Sequence, residues 1–148
     1  MEVTRSQART VLAFAVTLGL VWAVALSAAS HTSQATTNDG IYSKAQADAA
    51  KAQFDKLCAS CHAFTVAEKR KPEDLPLGDE PFIKAWEGKP VIELVSLIEF
   101  TMPNDGSAIV TGEEALNLVA YVLQRNGYPA GEAPLTKERA DAVLARKK

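Results

Sequence analysis

Cys58-Ala59-Ser60-Cys61-His62 holds the only two cysteines of the 148-residue chain and one of its two histidines. The C-x-x-C-H spacing is the attachment pattern of a c-type haem. Each thiol can add across one vinyl group of a porphyrin. Two intervening residues let both sulfurs reach from one turn of backbone, and the next residue offers an imidazole to the iron. On this reading one haem c is bound covalently through Cys58 and Cys61, with His62 as the proximal metal ligand. Three other chemistries use the same residue types. A thioredoxin-like redox pair needs a strand leading into the motif, and no strand pattern precedes Cys58. A zinc site needs four ligands, and His31, in the leader region, is the only further Cys or His. A disulfide between Cys58 and Cys61 suits an oxidising compartment but leaves His62 without a task.

Met102 is the second candidate metal ligand. Apart from the initiator it is the chain's only methionine, and after His62 no other His, Met or Cys is available to an iron. A lone methionine is usually gap-filling core. Here Pro103 follows it and pushes it out of the α region, so the expectation is an extended Met102 in a loop between two helices. Paired with His62, a thioether is a soft, neutral ligand that raises the reduction potential and fits electron transfer. Trp86 is a third candidate: its indole N–H needs a partner if buried, either in ordinary core packing or at a haem propionate.

The elements that must position these residues read as helices. Ser43 is a good N-cap with Gln46 in the place of a capping-box partner, and Ala47, Ala50, Phe54, Leu57 and Cys58 follow on one face. This first helix delivers the haem motif. From Ala63 to Gly78 periodicity is lost, with the charged run Glu68-Lys69-Arg70-Lys71 and the breakers Pro72, Pro76 and Gly78, as suits a loop that wraps something. A short helix is expected over Pro81 to Glu87. Pro90 opens another, in which Val91, Leu94, Val95 and Ile98 make a buried stripe that stops before Pro103. Thr111 with Glu114 forms a second capping box, and Ala115, Leu118, Val119 and Val122 carry the apolar face to Asn126-Gly127. Lys137 to Lys148 reads as a peripheral polar segment with helix-forming potential. No β pattern, repeat or phosphate loop is visible, so the fold class is all-α.

Before this domain lies a leader. Arg5 and Arg9 precede an apolar run from Val11 to Leu26, and small residues Ser27 and Ala29 suit cleavage after Ala29 as a secretory signal peptide. The stretch from Val11 to Ala29 is also near the ~20 residues that span a bilayer, so an uncleaved membrane anchor stays open. Either way the charge asymmetry sends the rest outward, to the periplasm. His31 to Gly40 is polar and aperiodic, the mark of a flexible linker within 30–41. Without Arg5, Arg9 and Glu2, the exported part retains a net charge of about −3, which gives no case for nucleic acid. About 90 structured residues make a marginal core, which a large apolar cofactor would help fill.

Together these residues resemble the class I c-type cytochromes over Tyr42 to Gly131. In that family an N-terminal helix ends in the haem motif, and a small residue and an aromatic on it meet an aromatic on the C-terminal helix. Ala50, Phe54 and Tyr121 match those places. Phe82-Ile83-Lys84-Ala85-Trp86, Pro90 to Pro103, and Gly127-Tyr128-Pro129-Ala130-Gly131 are similar to monohaem cytochromes serving periplasmic quinoprotein-type dehydrogenases. Two departures stand out. Pro72 and Pro76 bracket the place where the family has a proline whose carbonyl orients the axial histidine, and Asp105 to Val110 intervenes where a Pro-Gly pair often follows the methionine.

The resemblance implies a small cytochrome c fold, helices wrapped around one haem, over residues 42–131, with 132–148 a peripheral tail. It implies an exported one-electron carrier, not itself an enzyme. Its redox partners would be a dehydrogenase as donor and a terminal oxidase or another cytochrome as acceptor. A gas-binding, sensing or catalytic haem protein with an open or displaceable sixth ligand is the alternative.

Overall fold

The structure, a computed structural model, describes residues 33–147 apart from 70, 73 and 75. The signal peptide or anchor expected over 1–29, and His31, lie outside the described residues. Within the described residues the chain forms four α-helices and no strand: α1 (Lys44–Leu57), α2 (Asp79–Trp86), α3 (Val91–Thr101) and α4 (Gly112–Arg125). The all-α reading holds. No described helix is long and apolar enough to cross a membrane.

Helix α4 is the centre of the core. Its capping box forms as the sequence predicts: the Glu114 N–H donates to the Thr111 hydroxyl, and the Glu114 carboxylate accepts from the Thr111 N–H at 2.8 Å. Eight of its residues are buried, including Leu118, Val119, Tyr121 and Val122. Helix α1 packs along it through Ala47, Ala50 and Phe54, and α3 packs on it through Val91, Leu94 and Val95. The rings of Phe54 and Tyr121 meet with centroids 5.1 Å apart, and Phe64 packs against both.

Ser43 caps α1 through the Gln46 N–H, but the reciprocal half of the expected box is absent from its hydrogen bonds. The Gln46 amide instead donates to Asn117 and to the Leu135 carbonyl and accepts from the Leu135 N–H at 2.7 Å. A side chain expected to serve its own helix therefore pins a distant segment.

Two terminal regions differ from expectation. The linker read over 30–41 is structured from Thr36 onward. Thr37–Asp39 is a capped 3-10 turn, and Thr37 and Ile41 are buried. The segment 132–148, read as a peripheral tail with helix-forming potential over 137–148, has only a 3-10 turn at Arg139–Asp141 among its described residues. Leu135, Ala140, Ala142 and Leu144 enter the core, and Val143 bridges both Thr36 and Pro90. Ala140 is buried from within the 3-10 turn, while Ala142 and Leu144 flank the bridged Val143 and so face one side of the stretch that follows.

Candidate cofactor site

The motif stands at the C-terminal end of α1. The N–H groups of Cys58 and Ala59 donate to the Phe54 carbonyl, and those of Cys61 and His62 donate to the Cys58 carbonyl at 3.1 and 2.9 Å. The backbone thus winds one further turn beyond the helix, which places two thiols and an imidazole on adjoining positions of one tight loop. Cys58 is half-buried and Cys61 exposed, and both are free thiols. Burial pushes the Cys58 thiol up to about 11, and the nearby Cys61 adds to the effect.

Across from the motif, α3 stops at Thr101. Met102 has φ −118° and ψ 143°, the extended conformation that its following proline predicts. Between the two lies a cavity of about 540 Å³, within the ~300–1,000 Å³ typical of cofactor and small-molecule sites. Its walls bring together Cys58, Cys61, His62 and Met102. Phe82 from α2, Leu94, Leu97 and Ile98 from α3, and Leu118 and Val122 from α4 supply a mostly apolar lining. Lys56, Lys71 and Asp74 are also in the wall, and Lys56 and Lys71 are exposed.

The loop that closes one side of this cavity is held by side chains rather than by regular structure. The Glu68 carboxylate accepts from the N–H groups of Phe64 and Thr65, each at 3.1 Å. The Leu77 N–H donates to the Ala63 carbonyl at 2.7 Å, and the Asn126 amide donates to the Leu77 carbonyl at 2.7 Å. Gly78 is required there: a Cβ on it would fall 2.2 Å from the Phe64 carbonyl oxygen.

Four of the five residues singled out from the sequence therefore meet around one cavity, and Trp86 does not. The turn at Gly88 (φ +81°) brings Lys89 back over the indole, with its Nζ 5.0 Å from the ring centroid. Trp86 packs beside Phe82 at 6.5 Å and is not among the residues lining the cavity. Pro72 and Pro76 are not among them either, and the Pro72 carbonyl accepts from the Lys69 ammonium. Asp74, buried and accepting from the Lys71 N–H at 3.1 Å, was not foreseen. Inside a charged aperiodic run nothing distinguishes it from a solvated carboxylate.

The donor set and the cavity fit a covalently attached haem: two thiols at the attachment spacing, an imidazole beside them, a thioether on the same cavity, and apolar walls. The competing chemistries fit less well. Reactive C-x-x-C pairs are activated at a helix N-terminus, where the thiolate is stabilised. Here the pair follows a helix C-terminus and Cys58 is held protonated. Among the described residues no three or more His, Cys, Asp or Glu side chains converge as a metal-ion site of their own. Comparison with protein-family models, with curated proteins and with solved structures finds no match to this chain.

Proposed function

We propose that this protein is a monohaem c-type cytochrome that carries single electrons between partner proteins in an exported setting. The observation that carries the reading is one mostly apolar cavity that exposes Cys58, Cys61 and His62 together with Met102. Cys58 and Cys61 would hold the haem covalently, and His62 and Met102 would supply its two axial ligands. When bound, the haem supplies a reversible one-electron couple. The protein's part is to fix the two ligands on separate rigid supports, His62 on the turn ending α1 and Met102 on the stop of α3. Leu94, Leu118 and Val122, all buried, line the cavity with apolar groups, and an apolar site with a neutral thioether favours the reduced state. No substrate pocket is needed for this task. A dehydrogenase as donor and an oxidase or another cytochrome as acceptor are the partners this chemistry suits.

The test is to produce the chain in a host equipped for haem-c maturation. The expected result is a mass increment of one haem that survives denaturation and is lost in the Cys58→Ser/Cys61→Ser double variant. A low-spin spectrum with a weak band at the red end of the oxidised form, abolished by Met102→Ala, would support the methionine ligand. A high-spin spectrum indifferent to Met102→Ala would sink the carrier reading in favour of an open sixth position.

A further inference from the structure

A second cavity of about 410 Å³ lies where the loop before α2 meets the end of α4, away from the residues of the haem motif. Three cations line it, Arg125, Arg146 and Lys147, with Asp79 and Glu80 as the acidic residues. Their commitments differ. Arg146 is neutralised twice: it grips Glu80 through both terminal nitrogens at 2.7 and 2.9 Å and reaches Glu87 through Nε at 2.9 Å. Asp79 uses one carboxylate oxygen to accept from the Val66 N–H at 3.0 Å.

Arg125 and Lys147 have no carboxylate within ion-pair distance among the described residues. The negative end of α4 explains why cations gather there, but it is worth only about half a charge and cannot neutralise two. Lys147 stands over that end, its Nζ 3.4 Å from where a Cβ on Gly127 would lie. Arg125 is fixed in place. Its guanidinium stacks on the Phe64 ring at 4.2 Å and donates through Nη1 to the Tyr121 hydroxyl at 3.2 Å, while its remaining donors are not engaged by groups of the described residues.

We propose that this cavity binds an oxyanion, a phosphate or carboxylate group, in the fork of Arg125 with Lys147 as second contact. A planar guanidinium held by stacking loses little freedom when it takes a bidentate oxyanion, which a lysine could not reproduce. None of its residues lines the larger cavity.

The experiment is a titration of the purified full-length protein with inorganic phosphate, and separately with acetate, at constant ionic strength made up with sodium chloride. The Arg125 side-chain Nε–H resonance and its neighbours are followed by NMR. The expected result is a saturable shift with phosphate or acetate, the tighter of the two identifying the ligand class. Arg125→Lys should weaken binding by about tenfold, and Lys147→Met by a smaller factor, with the fold of each variant checked by the rest of the spectrum. A linear, non-saturating response, an equal response to chloride, or unchanged affinity in Arg125→Lys would overturn the site. Lys147→Met, which leaves the Phe64 stack intact, keeps the test valid if the Arg125 variant is perturbed.

Discussion

The backbone N–H of His62 donates to the carbonyl of Cys58 at 2.9 Å, closing a turn that leaves Cys58 half-buried and Cys61 in solvent. Two thiols three residues apart are therefore chemically unequal before any cofactor arrives.

In the cofactor-free protein, iodoacetamide at about neutral pH should label Cys61 first and Cys58 slowly, as read by peptide mass mapping. Burial pushes the Cys58 thiol up to about 11 from its ordinary value of 9.0. The linkage follows from the sign of the shift. The unfolded thiol ionises first, so the contribution of Cys58 to stability is whole below about pH 9 and is lost as pH rises through about 11. Denaturation midpoints taken across that range should fall in the native sequence and fall less in Cys58→Ser. Equal labelling of the two cysteines at neutral pH would contradict this assignment.

Phe54 touches both Phe64 and Tyr121 at 5.1 Å and also lines the large cavity. Truncating such a ring removes its buried area and leaves a void, so Phe54→Ala should cost about 3–5 kcal/mol. Urea denaturation measures it. A loss below about 1 kcal/mol would mean that α1 and α4 do not depend on this contact.

Gly78→Ala tests the loop that closes the cavity. The added methyl would collide with the Phe64 carbonyl at 2.2 Å, and that backbone cannot yield without disturbing the Phe64 ring beneath Arg125. A cost of about 1–3 kcal/mol is expected, as for other overpacking changes. Amide exchange should show the damage first at Leu77, whose N–H bonds back to Ala63. Unaltered exchange there, with unaltered stability, would refute the close approach.

Much of this was legible in the sequence because the signals are local. Ser43 and Thr111 mark helix starts through side chains that bond within three residues. Pro103 dictates the backbone of Met102, and the apolar period of α3 needs only a helix to explain it. The motif at Cys58 to His62 is local too, which is why its residues and the cavity coincide. What escaped reading depends on partners far along the chain. Gln46 abandons its own helix for Leu135, 89 residues away. Trp86 was assigned by residue type, yet its surroundings are set by the return of Lys89. The segment after Leu135 carries only a few apolar residues, and their spacing makes sense only once residues 36 and 90 are beside it.

That last pairing joins three stretches of the chain that are far apart in sequence. Val143 donates to Ala35 and accepts from Thr37, while Ala142 and Leu144 bond to Val91, Gly88 and Lys89. Residues 142–144 thus act as a strap: a chain cut before Ala142 would keep α1, α3 and α4 but lose the backbone hydrogen bonds that tie residues 35–37 to residues 88–91.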